Sequence, residues 1–282
     1  MRLARLRTAG GIRPVLLDAA GIPRDLTGHV ADIGHATLLP EGLAALRRLD
    51  PAGLPALPVE GGFAPPVSGI GKIIGVGLNY RAHAAECRLP LPKEPTLFLK
   101  PASALAGAMD PVILPPDASA LDWEVELGVV IGRPGAYIAP GDAAGHIAGY
   151  VLGIDFSERV FQFDRGGQGF KGKSSDSFAP LGPWFLDAAA VPDPQGLRLT
   201  LSVNGTLRQD GTTADMIFSV VELVATISRF MSLQPGDVIL SGTPAGVGMG
   251  QVPPTYLMPG DVVVAEAGPL GRQSHVVTPY AG

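Results

Sequence analysis

The sequence predicts an α+β protein that is rich in strands and has few helices. Short apolar runs follow one another along most of the chain, and they are separated by many of its 38 glycines and 28 prolines. The Asn204-Gly205 pair lies between two alternating segments and favours a tight hairpin turn. One segment alone, "SVVELVATISRFMSL", combines the apolar spacing of a strong helix with helix-ending residues beyond it.

The first 55 or so residues contain a strand-like run, "RPVLLDA", and a helix-like run, "EGLAALRRLD". The Pro/Gly-rich stretch "PAGLPALPVEGGFAPP" follows and indicates a domain boundary. Further strands are predicted at "KIIGVGL", "TLFLK", "WEVELGVVIG", "GYVLGID" and both arms of "LTLSVNGTLRQ". A short helix is expected near Tyr80, and Ser219 with Glu222 has capping-box spacing at the start of the long helix.

Composition excludes several classes of function. Of 282 residues, 46% are hydrophobic, which is enough for a substantial core. The net charge of -5 and the lack of a Lys/Arg cluster argue against nucleic acid or an anionic membrane as partner, so a small molecule is expected. Cys87 is the only cysteine and no apolar run is long enough to span a bilayer, so we expect a cytoplasmic protein. The basic opening is broken by glycine and proline, which speaks against a signal peptide and leaves a transit peptide as the alternative.

The stretch "LDWEVELGVVIG" places acidic residues at every second position. In an extended strand, Asp122, Glu124 and Glu126 would therefore project from the same face. Buried carboxylates side by side repel one another and are tolerated where positive charge lies between them. The alternative is an edge strand whose acidic face is solvated.

A third acid, Asp155, ends the apolar run "GYVLGID". A carboxylate at a strand end can join two strand-borne glutamates to offer hard oxygen ligands to Mg²⁺ or Mn²⁺. Alternatively, Asp155 or Ser157 caps a short helix that runs from Glu158 to Phe163. Spacing alone leaves both roles open.

The stretch "NYRAHAAEC" places His83, Glu86 and Cys87 three and four residues apart. On a helix, the imidazole could meet the carboxylate to form an acid/base pair, or the thiol to activate a nucleophile. The third possibility is a solvated helix end with no chemistry. The prolines of "RLPLPKEP", which follows, suggest a mobile lid.

Two glycine-rich stretches require comparison with nucleotide-binding motifs. "GQGFKGKS" matches the P-loop pattern, but no strand precedes it and prolines interrupt the helix that should follow. Its Lys173 could instead bind an anionic substrate, or could be a surface lysine. In "ILSGTPAGVGMG", backbone N–H groups and the Thr243 hydroxyl could bind an anion, but the dinucleotide pattern is absent. We therefore expect no nucleotide cofactor.

Seven motifs together resemble the fumarylacetoacetate hydrolase family. They occur in the family's order over about residues 70 to 270: "GVGLNYRAHAAE", "EPTLFLKP", "DWEVELGVVIG", "GYVLGIDFSERVFQ", "GKSSDSFAPLGPW", "VNGTLRQDGTTADMIF" and "PGDVILSGTPAGVGMG". The resemblance implies the family's mixed β-sandwich or roll in a catalytic domain at 70–282. A small N-terminal α/β domain at 1–65 would precede it, as in bacterial members. It also implies a homodimer.

The resemblance further implies a role for each site residue. Mg²⁺ or Mn²⁺ would be bound by Glu124, Glu126 and Asp155. The catalytic residues would be His83, Glu86 and Lys173, and the substrate contacts would be Arg159, Gln162 and Thr243. Ile154 and Phe156 stand where the family usually has Asn and Val, which retains the metal ligand and leaves substrate preference near Phe156 open.

The implied reaction is hydrolysis of a carbon–carbon bond in a 2,4-dioxo acid, either an acylpyruvate or a diketo-deoxy sugar acid. The products would be pyruvate and a carboxylic acid. The same metal site could instead serve an isomerase or decarboxylase of 2-oxo acids, of the hydroxymuconate isomerase or oxaloacetate decarboxylase type. A cysteine hydrolase that uses Cys87 with His83 is a further alternative, as is a non-catalytic binding protein.

Overall fold

A computed structural model describes residues 1–281. Its strands are β1 (Arg2–Thr8), β2 (Gly11–Leu17), β3 (Pro23–Asp25), β4 (Phe63–Ala64), β5 (Ile73–Gly77), β6 (Thr96–Lys100), β7 (Leu105–Ala106), β8 (Val112–Leu114), β9 (Leu121–Asp122), β10 (Val125–Ile131), β11 (Ile147–Ile154), β12 (Ser157–Glu158), β13 (Ala179–Pro180), β14 (Phe185–Asp187), β15 (Arg198–Val203), β16 (Thr206–Thr212), β17 (Val238–Leu240), β18 (Val262–Glu266) and β19 (Arg272–Pro279). Its α-helices are α1 (His35–Leu38), α2 (Pro40–Leu46), α3 (Arg81–Glu86), α4 (Arg159–Phe163), α5 (Phe170–Lys173) and α6 (Val220–Ile227). The predicted strand-rich α+β class is confirmed.

The strands form one large mixed sheet, a five-stranded sheet and two small pairs. The large sheet has the order β3-β2-β1-β14-β11-β10-β17-β5-β6, and β4 pairs with β1. The second sheet has the order β16-β15-β18-β19-β8. Buried residues of both sheets, such as Leu127 and Leu201, belong to one hydrophobic core. Burial of this apolar surface is the main term that holds the two sheets together.

Strand β10 lies at the centre of the large sheet. It pairs with β11 on one side and β17 on the other, and every residue from 125 to 131 is buried. The edge-strand alternative for the acidic stretch is therefore wrong. Trp123 and Glu124 lie between β10 and the short strand β9, which ends at Asp122. Strand β9 pairs with β12 and not with the large sheet. Antiparallel pairing of β10 with β11 sets Val125 opposite Ile154. The start of β10, with Glu124 and Glu126, therefore lies beside the end of β11, which Asp155 follows.

The predicted hairpin forms between β15 and β16. Asn204 and Gly205 have φ angles of 51° and 77°, the left-handed values that both central residues of a type I′ turn require. Asn and Gly are the residues that adopt this region at least cost. The turn therefore joins β15 to β16 as the sequence predicts, with Val203 opposite Thr206.

The N-terminal segment continues the large sheet. Strand β1 pairs with β14, with Arg2 opposite Leu186 and Leu3 opposite Phe185. Leu3 belongs to the main core, and Arg47 forms a salt bridge of 2.6 Å with Asp187. The division into domains at 1–65 and 70–282 stays a prediction, and the large sheet and the core continue across the proposed boundary.

The helices agree with prediction at their starts more than at their ends. Helix α3 lies at Arg81–Glu86, and α6 begins with the expected reciprocal capping box of Ser219 and Glu222. Helix α6 ends at Ile227, although its apolar pattern extends to Leu233. Beyond that end, the carbonyl of Ser228 accepts from the N–H of Tyr137, and Leu233 pairs with Gly135. No helix within residues 1–281 is long and apolar enough to cross a membrane.

Candidate active site

Three carboxylates converge in the core. One carboxylate oxygen from each of Glu124, Glu126 and Asp155 lies within 4.8 Å of the others, and all three residues are buried. The backbone explains this proximity, because Glu124 immediately precedes β10, Glu126 lies within it, and Asp155 follows the antiparallel neighbour β11. The N–H of Asp155 also donates to the carbonyl of Glu124 at 2.8 Å. The sequence-predicted trio is therefore brought together.

The carboxylate cluster fits a hard divalent cation. Around Mg²⁺, with ligands at 2.0 to 2.1 Å, neighbouring oxygens lie about 2.9 Å apart and opposite ones about 4.2 Å apart. In the structure, one oxygen from each carboxylate lies within 4.8 Å of the others, so the three can reach a common cation. Carboxylate oxygens are also the ligand type that Mg²⁺ and Mn²⁺ prefer. Helix α4 begins after Glu158, whose side chain accepts from the N–H of Val160, so the alternative that Asp155 or Ser157 caps this helix is wrong.

Two buried lysines face the carboxylates. Nζ of Lys173 donates to Oε2 of Glu124 at 2.8 Å and to Oδ2 of Asp155 at 2.5 Å. Nζ of Lys100 donates to the other oxygen of Asp155 and to the carbonyl of Phe156. The surface-lysine alternative for Lys173 is wrong, since that residue is buried within the short helix α5. Sequence reasoning assigned no role to Lys100, and its one local signal was a lysine at the end of an apolar strand.

Arg159 links the carboxylates to the glycine-rich loop. Its Nη2 donates to Oε1 of Glu124 at 2.6 Å, and its Nε donates to Oδ2 of Asp122 at 2.9 Å. Asp122 in turn accepts from the N–H groups of Gly248 and Met249 at 2.6 and 3.0 Å. From its spacing, Asp122 is expected on the acidic face of the strand, and the sequence predicts no role for it. In the structure, Asp122 joins the guanidinium of Arg159 to the backbone of the glycine-rich loop.

The electrostatics of the carboxylate cluster leave one charge unmatched. Burial, followed by the negative charges of Asp155 and Glu124, raises the pKa of Glu126 well above its ordinary value. Burial also acts to raise the pKa of Glu124, but the positive charges of Lys173 and Arg159 outweigh it and lower that pKa. Within residues 1–281, the hydrogen bond that Glu126 accepts comes from the N–H of Gly242 at 2.8 Å, and no basic side chain donates to it. A further cation would allow Glu126 to ionise.

His83 contacts both of its predicted partners. Its Nδ1–H donates to Oε2 of Glu86 at 3.0 Å, and Sγ of Cys87 lies 3.9 Å from each ring nitrogen. The other oxygen of Glu86 accepts from the N–H of Gly246 at 2.9 Å, which ties α3 to the glycine-rich loop. Burial lowers the pKa of His83, but the contacts with Cys87 and Glu86 and the charge of Glu124 outweigh it and raise the pKa to about 9. Because His83 is buried, a solvated helix end is excluded.

One cavity of about 690 Å³ joins the carboxylate cluster to this helix. Its walls include all the predicted site residues except Glu86 and Asp155, namely His83, Glu124, Glu126, Arg159, Gln162, Lys173 and Thr243. Gln162 accepts from Nη1 of Arg159 at 2.9 Å. The Thr243 hydroxyl donates to the carbonyl of Val125 at 2.9 Å and accepts from Nε2 of Gln209 at 2.8 Å, so it also anchors β10. Gln209 is another residue that sequence reasoning missed.

Comparison with known proteins identifies the family. Residues 72–278 match the model of the fumarylacetoacetate (FAA) hydrolase C-terminal family. A protein of Burkholderia multivorans, named only in general terms as a hydrolase, is 47% identical over 274 residues, which is 97% of each chain. These matches cover nearly all of the catalytic region predicted from the seven motifs.

Solved structures resemble the chain over its whole length. The fumarylacetoacetate hydrolase of Exiguobacterium antarcticum is 33% identical, covers 99% of this chain with 100% of its own, and has a TM-score of 0.87. The maleylpyruvate hydrolase of Sphingobium sp. SYK-6, solved with manganese(II) and pyruvate, is 32% identical with full coverage of both chains and a TM-score of 0.82. A 5-carboxymethyl-2-hydroxymuconate delta-isomerase from Mycobacterium smegmatis is 31% identical with full coverage of both and a TM-score of 0.80.

Proposed function

Because the chain belongs to the fumarylacetoacetate hydrolase family, we propose that it is a Mg²⁺- or Mn²⁺-dependent hydrolase of 2,4-dioxo acids. It would cleave the carbon–carbon bond between C3 and C4 and release pyruvate and a carboxylic acid. The observation that carries this proposal is the buried cluster of Glu124, Glu126 and Asp155, which shares one cavity with His83. The manganese and pyruvate bound to the similar Sphingobium enzyme support both the metal and the product.

The carboxylate cluster would hold the metal and one end of the substrate. A divalent cation bound by Glu124, Glu126 and Asp155 would stabilise the negative charge that develops on the 2-oxo oxygen. Arg159 and Lys173 line the same end of the cavity and bring fixed positive charge to the substrate carboxylate. The hydrogen bonds of both side chains to acidic residues hold them in place before the substrate arrives.

His83 would act as the general base. Glu86 accepts from Nδ1, so the neutral imidazole presents its Nε2 lone pair to a water molecule that attacks the C4 carbonyl. Part of the raised pKa of His83 comes from the charge of Glu124. The pKa therefore falls when that charge is neutralised, and the base becomes available nearer to neutral pH.

Isomerisation of a related 2-oxo acid is the second candidate, and the similarity to the Mycobacterium smegmatis delta-isomerase favours it. The same groups would then move a proton between two carbons, and no water would attack. The two reactions differ in their products. Hydrolysis releases a carboxylic acid, whereas isomerisation changes the absorbance of the conjugated substrate without releasing acid.

The purified protein tests these alternatives directly. It should be stripped with EDTA, reloaded with Mg²⁺ or Mn²⁺, and assayed on acetylpyruvate, oxaloacetate and a hydroxymuconate. We expect pyruvate release from acetylpyruvate that requires metal and is lost in Glu124→Ala. Full turnover by Glu124→Ala in metal-free buffer would refute the proposal. The homodimer expected from the resemblance also stays a prediction, which light scattering can check.

A further inference from the structure

The cavity has two chemically different ends. Carboxylates and bases crowd one end, where Glu124, Glu126, Arg159 and Lys173 meet. Large apolar side chains from several elements supply much of the remaining wall, and they include Leu89, Leu97, Leu99, Phe163, Phe170 and Met249. A molecule that places its 2-oxo-carboxylate on the charged cluster must therefore extend its other end along hydrocarbon.

The basic side chains of the cavity wall already have acidic partners. Among residues 1–281, the wall contains three basic side chains, which are His83, Arg159 and Lys173. Each already contacts an acidic group. The hydroxyl and amide side chains of the wall, Thr96, Gln162, Gln168 and Thr243, carry no charge. A second carboxylate on the substrate would thus lose water without gaining a cationic partner.

The basic residues between helices α4 and α5, and the one at the start of α5, make contacts outside the cavity. Arg165 lies over the ring of Phe161, 4.4 Å from its centroid, and Nζ of Lys171 donates to the carbonyl of Arg165 at 2.9 Å. Neither residue lines the cavity. Phe163 and Phe170, from the same segment, are 53% and 51% exposed at the cavity wall. Exposed aromatic groups beside a cavity are typical of a surface that a ligand covers.

We propose that the substrate tail is uncharged and apolar, so that the enzyme acts on alkyl- or aryl-substituted acylpyruvates. Substrates that end in a second carboxylate, or in the polyhydroxyl chain of a sugar acid, would fit this wall poorly. The proposal rests on the function proposed above, because the charged end must hold the dioxo acid. It adds the class of tail, which the family alone leaves open.

Paired substrates test the tail. The value of kcat/KM should be measured for acylpyruvates of increasing alkyl length, and for hexanoylpyruvate against its analogue with a carboxylate in place of the terminal methyl. Each methylene that is buried should raise kcat/KM up to about fourfold. The terminal carboxylate should lower it by at least about tenfold, since the charge is desolvated without a partner. Equal or faster turnover of the dicarboxylate would overturn the proposal.

A charge placed in the apolar wall should reverse the preference. Phe163→Arg supplies a cation at an exposed position, so we expect kcat/KM to rise for the carboxylate-tailed analogue and to fall for hexanoylpyruvate. The matched control is Phe230→Arg, which makes the same change at a residue that is 58% exposed and lies outside the cavity wall. It should leave the ratio of the two kcat/KM values unchanged. The same shift in both variants would contradict a tail site at Phe163.

Binding separates failure of the tail from failure of the hydrolase. With Mn²⁺ present, calorimetry should show tighter binding of 2-oxooctanoate than of its analogue with a carboxylate in place of the terminal methyl. If this order holds but no acylpyruvate is hydrolysed, the tail assignment stands and the hydrolase proposal fails. If acylpyruvates are hydrolysed but the dicarboxylate binds more tightly, the hydrolase proposal stands and the tail assignment is overturned.

Discussion

Replacement of Glu126 by glutamine should stabilise the metal-free protein and abolish its response to Mn²⁺. Glu126 is buried beside two other carboxylates, and burial together with their charges raises its pKa well above the ordinary value. Glutamine has nearly the same shape, and its carbonyl oxygen can still accept the hydrogen bond from Gly242. The substitution therefore removes a charge and a metal ligand while it keeps the packing of β10.

The size of the expected stabilisation follows from the distance between the carboxylates. Two carboxylates at the 4.8 Å limit of this cluster repel by about 3.5 kcal/mol at an effective dielectric constant of about 20, and the ammonium of Lys173 offsets part of this. A net gain of about 1 to 3 kcal/mol in the free energy of unfolding is expected without metal, or a rise of roughly 2 to 10 °C in Tm.

The native pKa of Glu126 exceeds the unfolded one, so the unfolded state releases its proton first as pH rises. The wild-type protein then loses up to about 1.4 kcal/mol per pH unit between the two pKa values, which makes the gain from glutamine larger at pH 8 than at pH 5.

Urea denaturation followed by tryptophan fluorescence, in EDTA and in Mn²⁺, measures both effects. At a concentration of about 100 Kd, Mn²⁺ should stabilise the wild type by about 2.7 kcal/mol and leave Glu126→Gln unchanged. The control is Glu158→Gln, a buried carboxyl that accepts from the N–H groups of Ala120 and Val160 and lies outside the cluster. It should lose stability but keep the Mn²⁺ response. If Glu126→Gln behaved like this control, the cluster would not be the metal site.

Four further outcomes are expected. His83→Gln should lower kcat by about 100- to 10,000-fold in steady-state assays while the Mn²⁺-induced rise in Tm persists, because the base is lost and the ligands are not. Cys87→Ala should keep near wild-type turnover, and its inactivity would instead favour a thiol nucleophile. Lys100→Met should destabilise the metal-free protein by about 3 to 5 kcal/mol in urea, since it leaves Asp155 with one less cation, and Mn²⁺ should restore part of that loss. Ser219→Ala should cost about 1 kcal/mol of unfolding free energy in the same assay by removing the capping box of α6.

Local sequence patterns predicted the elements that depend on neighbouring residues. The apolar run around Leu127 forms the central strand, and Asn204-Gly205 forms the hairpin turn, because side-chain periodicity and left-handed propensity act over a few residues. Strand geometry predicts that Glu124 and Glu126 project from the same face. Only Glu126 lies within β10, yet the two carboxylates still converge.

Contacts between distant segments could not be read from the sequence. Asp122 meets Arg159 across 37 residues because β9 pairs with β12. Lys100 meets Asp155 across 55 residues although β6 and β11 are not neighbours in the sheet. No local pattern carries that information. The same limit applies to the end of α6, where Ser228 and Leu233 bond to the distant residues Tyr137 and Gly135. Pairing of β1 with β14 is a further example, and it is what joins the N-terminal segment to the main sheet.

The charged cluster is costly to the fold, and that cost is itself evidence for function. Four buried acids, Asp122, Glu124, Glu126 and Asp155, face three buried bases, Lys100, Arg159 and Lys173. Apolar residues of similar volume would often be as stable or more so in such a place, and the bases leave one carboxylate unmatched. A core that keeps this imbalance gains from a charge supplied from outside, which is what a divalent cation brings. Substitutions that relieve the imbalance should therefore stabilise the metal-free protein and weaken its metal binding together, so the two measurements report the same unmatched charge.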